Sequence, residues 1–193
     1  MAVRVREELG IPEGKRVILY APTWRDDQAV SVGQYRFELA LDLARMKREL
    51  GEDSILLLRT HYYVAQQLDL TGYEGFVYDG SRYEDVSWLY LVSDCLVTDY
   101  SSVFFDYANL RRPILFFAYD HESYADEMRG LYIDMEKELP GPVLTTNDEL
   151  MEALHHIQEV TVQYQSRYDA FYERFCCVDD GKASERIIQA VFK

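Results

Sequence analysis

The chain has 193 residues, 48% of them hydrophobic and 28% charged, which suits one globular domain or at most two small ones and excludes a disordered chain. Asp plus Glu outnumber Lys plus Arg by 34 to 20, a formal charge of −14, so neither nucleic acid nor an anionic membrane is an expected partner. A local cluster of Arg, His and backbone N–H groups can still hold a small anion against that field. Three Cys without zinc spacing argue against a disulfide scaffold and fit a reducing compartment. The apolar runs fall far short of a membrane span, and the amino terminus has no signal-peptide core, so a cytoplasmic location is expected.

Residues 16–21 read as a buried strand that Pro22 ends. Apolar positions Phe37, Leu39, Leu41, Leu43, Met46 and Leu50 predict a helix over 37–50, with Gly51 at its carboxyl end. Residues 54–59 form a second buried strand and 75–78 a short third. A helix is expected over 86–92, a fourth strand over 95–98, and an apolar helix over 103–110 that Arg112-Pro113 breaks. A fifth strand follows at 114–117. Pro140-Gly141-Pro142 turns the chain into a short sixth at Val143-Leu144. Asn147 is expected to cap a long helix through about Val160, with Glu149 and Glu152 near its positive end. Cys176 and Cys177 read as helix packing residues, and Asp180 as the cap of the last helix. Strands apolar throughout belong to a sheet covered on both faces, and their alternation with helices makes it mostly parallel. The expected fold class is therefore α/β: a doubly wound, mostly parallel, Rossmann-like sheet, forming a single domain over 1–193.

Ligands of such sheets bind beyond the carboxyl ends of the strands. There stand Arg25, Arg59 with His61, Thr98-Asp99-Tyr100-Ser101-Ser102, and Tyr119-Asp120-His121. Ser101 and Ser102 open a helix, whose first N–H groups lack partners inside it, so hydroxyls and N–H groups together suit a phosphate. Asp106 lies four residues after Ser102 on the same helix face, one turn or about 5.4 Å along, placed for a ribose diol. The plainer alternative makes Ser101 an ordinary cap and Asp106 a solvated face residue. Arg59 and His61 alternate at a strand end; His61, further past the sheet, is favoured as a donor to a pyrophosphate oxygen, with a satisfied structural histidine as its alternative. Arg25 suits a bidentate phosphate contact, with a surface ion pair as its alternative. His121, His155 and His156 are weaker candidates. Tyr78 or Tyr83 suits stacking on a base. No metal ligand set is recognisable.

The ordered stretches Ile18-Leu19-Tyr20-Ala21-Pro22-Thr23-Trp24-Arg25, Arg59-Thr60-His61, Thr98-Asp99-Tyr100-Ser101-Ser102 with Phe105-Asp106, Arg112-Pro113-Ile114 and Asp179-Asp180-Gly181-Lys182-Ala183-Ser184 resemble the CDP-glycerol glycerophosphotransferase family of teichoic acid polymerases and primases. The resemblance implies the carboxyl-terminal, nucleotide-binding half of a GT-B transferase. It implies transfer of a polyol phosphate from CDP-glycerol or CDP-ribitol to an acceptor hydroxyl, with release of CMP and no cofactor or metal. It places His61, Ser101, Ser102 and Asp106 around the cytidine diphosphate, with His61 catalytic; Arg25, Arg59, Thr98 and Asp99 complete the expected binding set.

The acceptor half of such an enzyme, with its general base and membrane-binding surface, is expected to be missing from this chain. A polymeric or lipid-linked acceptor and the inner face of the plasma membrane would then be met through that half, not through this domain. The helix over 37–50 and the loop over 26–35 are expected to face it with exposed apolar residues. The alternatives are a uridine-nucleotide half of a GT-B glycosyltransferase or epimerase-like enzyme, and a non-catalytic interaction domain.

Overall fold

Five short apolar runs and one dipeptide build the centre of the molecule. The computed structural model describes residues 2–23, 29–31, 34–35, 39–60, 68–121, 133–135 and 137–192. Helix α1 (Ala2–Leu9) leads into β1 (Arg16–Tyr20), and a small hairpin, β2 (Ala29–Ser31) with β3 (Gln34–Tyr35), follows. Then come α2 (Leu43–Leu50), β4 (Ser54–Leu58), β5 (Val77–Asp79), α3 (Val86–Val92), β6 (Cys95–Thr98), α4 (Val103–Ala108), β7 (Ile114–Phe117) and β8 (Val143–Leu144). The described chain ends with α5 (Asn147–His155), α6 (Ile157–Phe175) and α7 (Ala183–Val191).

The strands pair in the order β5-β4-β1-β6-β7-β8, and every pairing in that sheet is parallel. Side chains alternate across a strand, so each strand feeds two cores. Val17, Leu19, Ile55, Leu57, Leu96 and Phe116 pack against α1, α3, α4 and α6 on one face. Ile18, Tyr20, Leu56, Leu58, Val97 and Leu115 pack against α2 and α5 on the other. This is the doubly wound sheet expected from strands apolar throughout. Chain order reverses beside β1: β4 and β5 lie to one side, β6, β7 and β8 to the other. The crevice between the carboxyl ends of β1 and β6 is therefore the topological switch point, where such sheets hold ligands.

Several boundaries differ from expectation for local reasons. Helix α2 begins at Leu43, because the Asp42 carboxylate accepts from Arg45 N at 2.9 Å and caps it; residues 36–38 lie outside the described residues. The third strand is Val77–Asp79 rather than 75–78, since β4 pairs Leu56 with Val77. The helix over 103–110 stops at Ala108, and Arg111 turns left-handed at φ 53°. The long helix after β8 is two helices, broken at His156 (φ −106°, ψ 32°). Its cap is Thr146, which forms a reciprocal capping box with Glu149. Asn147 instead bridges to the segment before α2, accepting from Asp42 N and donating to Ala40 O at 2.9 Å each. Lys182, not Asp180, holds the cap position of α7; the Asp180 carboxylate accepts from Lys182 N and pairs with Arg186. Cys176 is buried but Cys177 is exposed.

The exposed apolar residues also lie elsewhere than on α2, which buries Leu43, Met46 and Leu50. On α7 no residue is buried, and Ile187, Ile188, Val191 and Phe192 are 58–80% exposed. Among the described residues no helix is long and apolar enough to cross a membrane.

Candidate functional site

The switch-point crevice is tied together by one carboxylate. Asp99 is 2% exposed, and its Oδ1 accepts from Thr23 N at 2.8 Å and Thr23 Oγ1 at 2.7 Å. The same oxygen accepts from Tyr100 N at 2.6 Å and Ser101 N at 3.3 Å. Asp99 thus joins the loop leaving β1 to the loop leaving β6. Just beneath it the buried Thr98 hydroxyl donates to Ala21 O at 2.7 Å. Both residues belong to the expected binding set; in this structure Asp99 Oδ1 and Thr98 Oγ1 tie the two walls of the crevice together.

Ser101 is half-buried and Ser102 exposed at the start of α4. Ser102 stands at the cap position with helical dihedrals (φ −61°, ψ −8°) and makes no side-chain capping bond. Its hydroxyl is not consumed by its own helix, unlike that of an ordinary N-cap serine. The N–H groups of Tyr100 and Ser101, in the loop before α4, serve Asp99. Asp106 is exposed on the first turn of α4, on the same face as Ser102 as expected.

Arg59 has a definite local role. Its Nη1 donates to Gly80 O at 3.1 Å, Ser81 O at 2.7 Å and Tyr83 O at 2.8 Å. It clamps the loop that leaves β5 and leads into α3. Thr60 N and Oγ1 both meet Ser81 Oγ at 3.0 Å beneath the same loop. Arg25 and His61 lie outside the described residues. Tyr83, considered for base stacking, is drawn toward α1: its hydroxyl donates to Glu8 at 2.6 Å and its ring leans on Trp88 at 6.1 Å. That bond holds the Glu8 carboxyl below its usual range and raises the Tyr83 phenol. His121 stacks on Tyr100 at 6.5 Å, while His155 and His156 face Glu49, Glu152 and Glu159 on the surface. Among the described residues no group of three or more His, Cys, Asp or Glu could hold a metal ion.

One partner escaped the sequence reading. Thr23 belongs to the motif that ends β1, but nothing in a lone sequence shows that it meets Asp99 from 76 residues away.

A parallel, doubly wound sheet with Ser and Asp side chains at its switch point defines an α/β domain of the Rossmann-like class. The chain belongs to the family described as CDP-Glycerol:Poly(glycerophosphate) glycerophosphotransferase, whose model matches residues 2–193. It is 51% identical to the teichoic acid poly(glycerol phosphate) polymerase of Bacillus subtilis over 189 residues, 98% of this chain and 25% of that protein. The solved structure of the wall teichoic acid polymerase TagF superposes with a TM-score of 0.90 at 51% identity, over 99% of this chain and 46% of that one. A TagF variant soaked with CDPG for 30 minutes superposes at 0.86 with 47% identity, over 99% and 45% of the respective chains. The chain thus spans a quarter of the curated relative and just under half of the solved chains.

Proposed function

We propose that this domain binds the donor nucleotide of a glycerophosphotransferase, taking CDP-glycerol in the crevice between the carboxyl ends of β1 and β6. The observation that carries the reading is the Thr98-Asp99-Tyr100-Ser101-Ser102 turn. It is locked to Thr23 at the switch point, in a chain that matches the family from end to end. Ser101 and Ser102 offer hydroxyls to the pyrophosphate, and Asp106 accepts from the ribose diol one turn along α4. Arg25 and His61 supply positive charge and a proton-bearing donor to the same phosphates. Arg59, Thr98 and Asp99 hold the loops that present these groups.

In the reaction this supports, an acceptor hydroxyl oxygen attacks the phosphorus that bears glycerol. That P–O bond forms as the P–O bond to CMP breaks, and the hydroxyl proton passes to a base. Positioning and charge stabilisation do most of the work in phosphoryl transfer. His61, donating toward the departing phosphate, stabilises the charge that develops there.

The acceptor site, the base and any contact with the inner membrane face lie in a second half, in a GT-B arrangement. The relatives are long enough to hold one. The uncovered apolar stripe of α7 supports an arrangement in which that half packs against this domain.

Calorimetric titration with CMP and CDP-glycerol tests the donor assignment. Asp106→Ala is expected to weaken both at least 10-fold while leaving the melting temperature unchanged, because Asp106 is exposed. Unchanged CMP affinity in that variant would overturn the ribose assignment, and no binding by the parent chain would overturn the donor-site reading.

A further inference from the structure

A cleft of about 250 Å³ opens at the amino edge of the sheet, opposite the donor crevice. It lies between α6 and the turns that lead into β7 and β8, and Arg111, Pro113, Pro140, Thr161, Tyr164 and Gln165 line it. Two backbone features give it this shape. A Cβ on Gly141 would stand 1.8 Å from Ile114 O, so only glycine lets the turn into β8 approach β7 this closely. Arg111 is the one non-glycine residue with a positive φ among the described residues, at 53°. That conformation strains a residue with a Cβ, and after a helix it usually falls to Gly or Asn. Retained strain of this kind gathers at ligand clamps.

The Arg111 side chain is held in place as well. Its Nη1 donates to Asp169 at 2.6 Å, and its guanidinium lies over the Tyr172 ring at 4.0 Å. Asp169 also accepts from Gln165 Nε2 at 3.2 Å, so one carboxylate aims two polar side chains of the cleft. The ion pair engages one nitrogen of a fork that carries five N–H donors, and such a fork matches the oxygens of a phosphate. Arg167, over the Tyr164 ring at 5.4 Å, adds a second positive charge to the same rim. The chain as a whole carries −14 and repels a polyanion, so a phosphate polymer can settle only where cations gather locally. Tyr164 and Gln165 both donate and accept, which suits hydroxyl groups, while Pro113 and Pro140 offer cover to a short carbon chain.

We propose that this cleft binds a glycerol phosphate unit of the reaction product, with the phosphate on Arg111 and the hydroxyls on Tyr164 and Gln165. The proposal rests on the transfer reaction above for the identity of the polyol phosphate, the group that the reaction adds to its acceptor. The site itself is separate from the donor crevice, on the other edge of the sheet. A product chain held here stays with the domain while one donor replaces the next, which keeps its effective concentration high.

The test is an amide-shift titration of this chain by NMR with a synthetic glycerol phosphate hexamer, with excess CMP present to fill the donor crevice. Shifts are expected at Gly141, Thr161 and Gln165 and not at Ser101 or Ser102. Arg111→Asn, which keeps a residue tolerant of the left-handed backbone, is expected to weaken hexamer binding about 10-fold with CMP affinity unchanged. Gln165→Ala, an exposed change that leaves the fold intact, is expected to weaken it about 3-fold and serves if Arg111→Asn does not fold. Shifts confined to other residues, no binding of the hexamer by the parent chain, or unchanged hexamer affinity in the folded variants would each overturn the proposal. Failure of the parent to bind CMP, with the cleft shifts present, would instead overturn the donor-nucleotide reading.

Discussion

Asp99 shows how much of the site depends on one buried carboxylate. It accepts from four donors drawn from two loops, and truncation would strand three backbone N–H groups and a hydroxyl near the protein interior. Asp99→Ala is expected to cost about 3 kcal/mol, lowering the melting temperature by about 6–12 °C for a domain of this size. A loss under about 1 °C on calorimetric melting would contradict this role. Asp106→Ala, on an exposed carboxylate of the helix that follows, is the natural control: its effect belongs on binding and not on stability. The sequence shows that Thr98 to Ser102 matter, because polar residues follow an apolar strand directly. It does not show that Asp99 faces inward to Thr23 while Ser102 faces out, which depends on loop geometry that a linear pattern does not carry.

At the scale of elements, the apolar strands were legible because β1, β4, β6 and β7 are buried on both faces and tolerate no polar residue midway. Helix ends were less so, since several residues compete for each cap. Thr146 prevailed over Asn147 because Glu149 can reach back to complete its box, while Asn147 is engaged across the gap to Asp42 and Ala40. Thr146→Ala is expected to cost about 1 kcal/mol, readable as a fall of about 2–4 °C in melting temperature, and Asn147→Ala to act through the α2 contact instead. The break at His156 was hidden because the apolar periodicity continues across it. At the carboxyl end of α3, Arg112 donates to the carbonyls of Tyr90 and Leu91 at 3.1 Å each and to that of Ser93. This satisfies acceptors that a helix end leaves open and fixes the helix that carries Tyr90.

The whole molecule is acidic, and its carboxylates set how it responds to pH. Glu149 is held below its usual range by the N–H of Thr145, Asp169 by Arg111, and Asp180 by Arg186. A carboxyl whose folded value is depressed contributes stability above its unfolded value, and that contribution is lost as pH falls through the folded value. The melting temperature should therefore hold between pH 8 and pH 5 and fall below about pH 4.5, near the ordinary carboxylate range. A steady rise toward pH 4 would contradict this assignment. At the same scale, Ile188→Ser on α7 is expected to leave the melting temperature of this chain within about 1 °C, since exposed sites contribute little. In a chain that also carries the second half, it should loosen the association of the halves.

The carboxyl edge between β1 and β6 is proposed to hold the donor nucleotide, and a crystal of this chain soaked with CDP-glycerol tests this most directly. Density is expected for the pyrophosphate at Ser101 and Ser102 and for the ribose at Asp106. Ligand found instead at the amino edge of the sheet, in the cleft of about 250 Å³ that Pro140, Gly141, Thr161 and Tyr164 line, would contradict it.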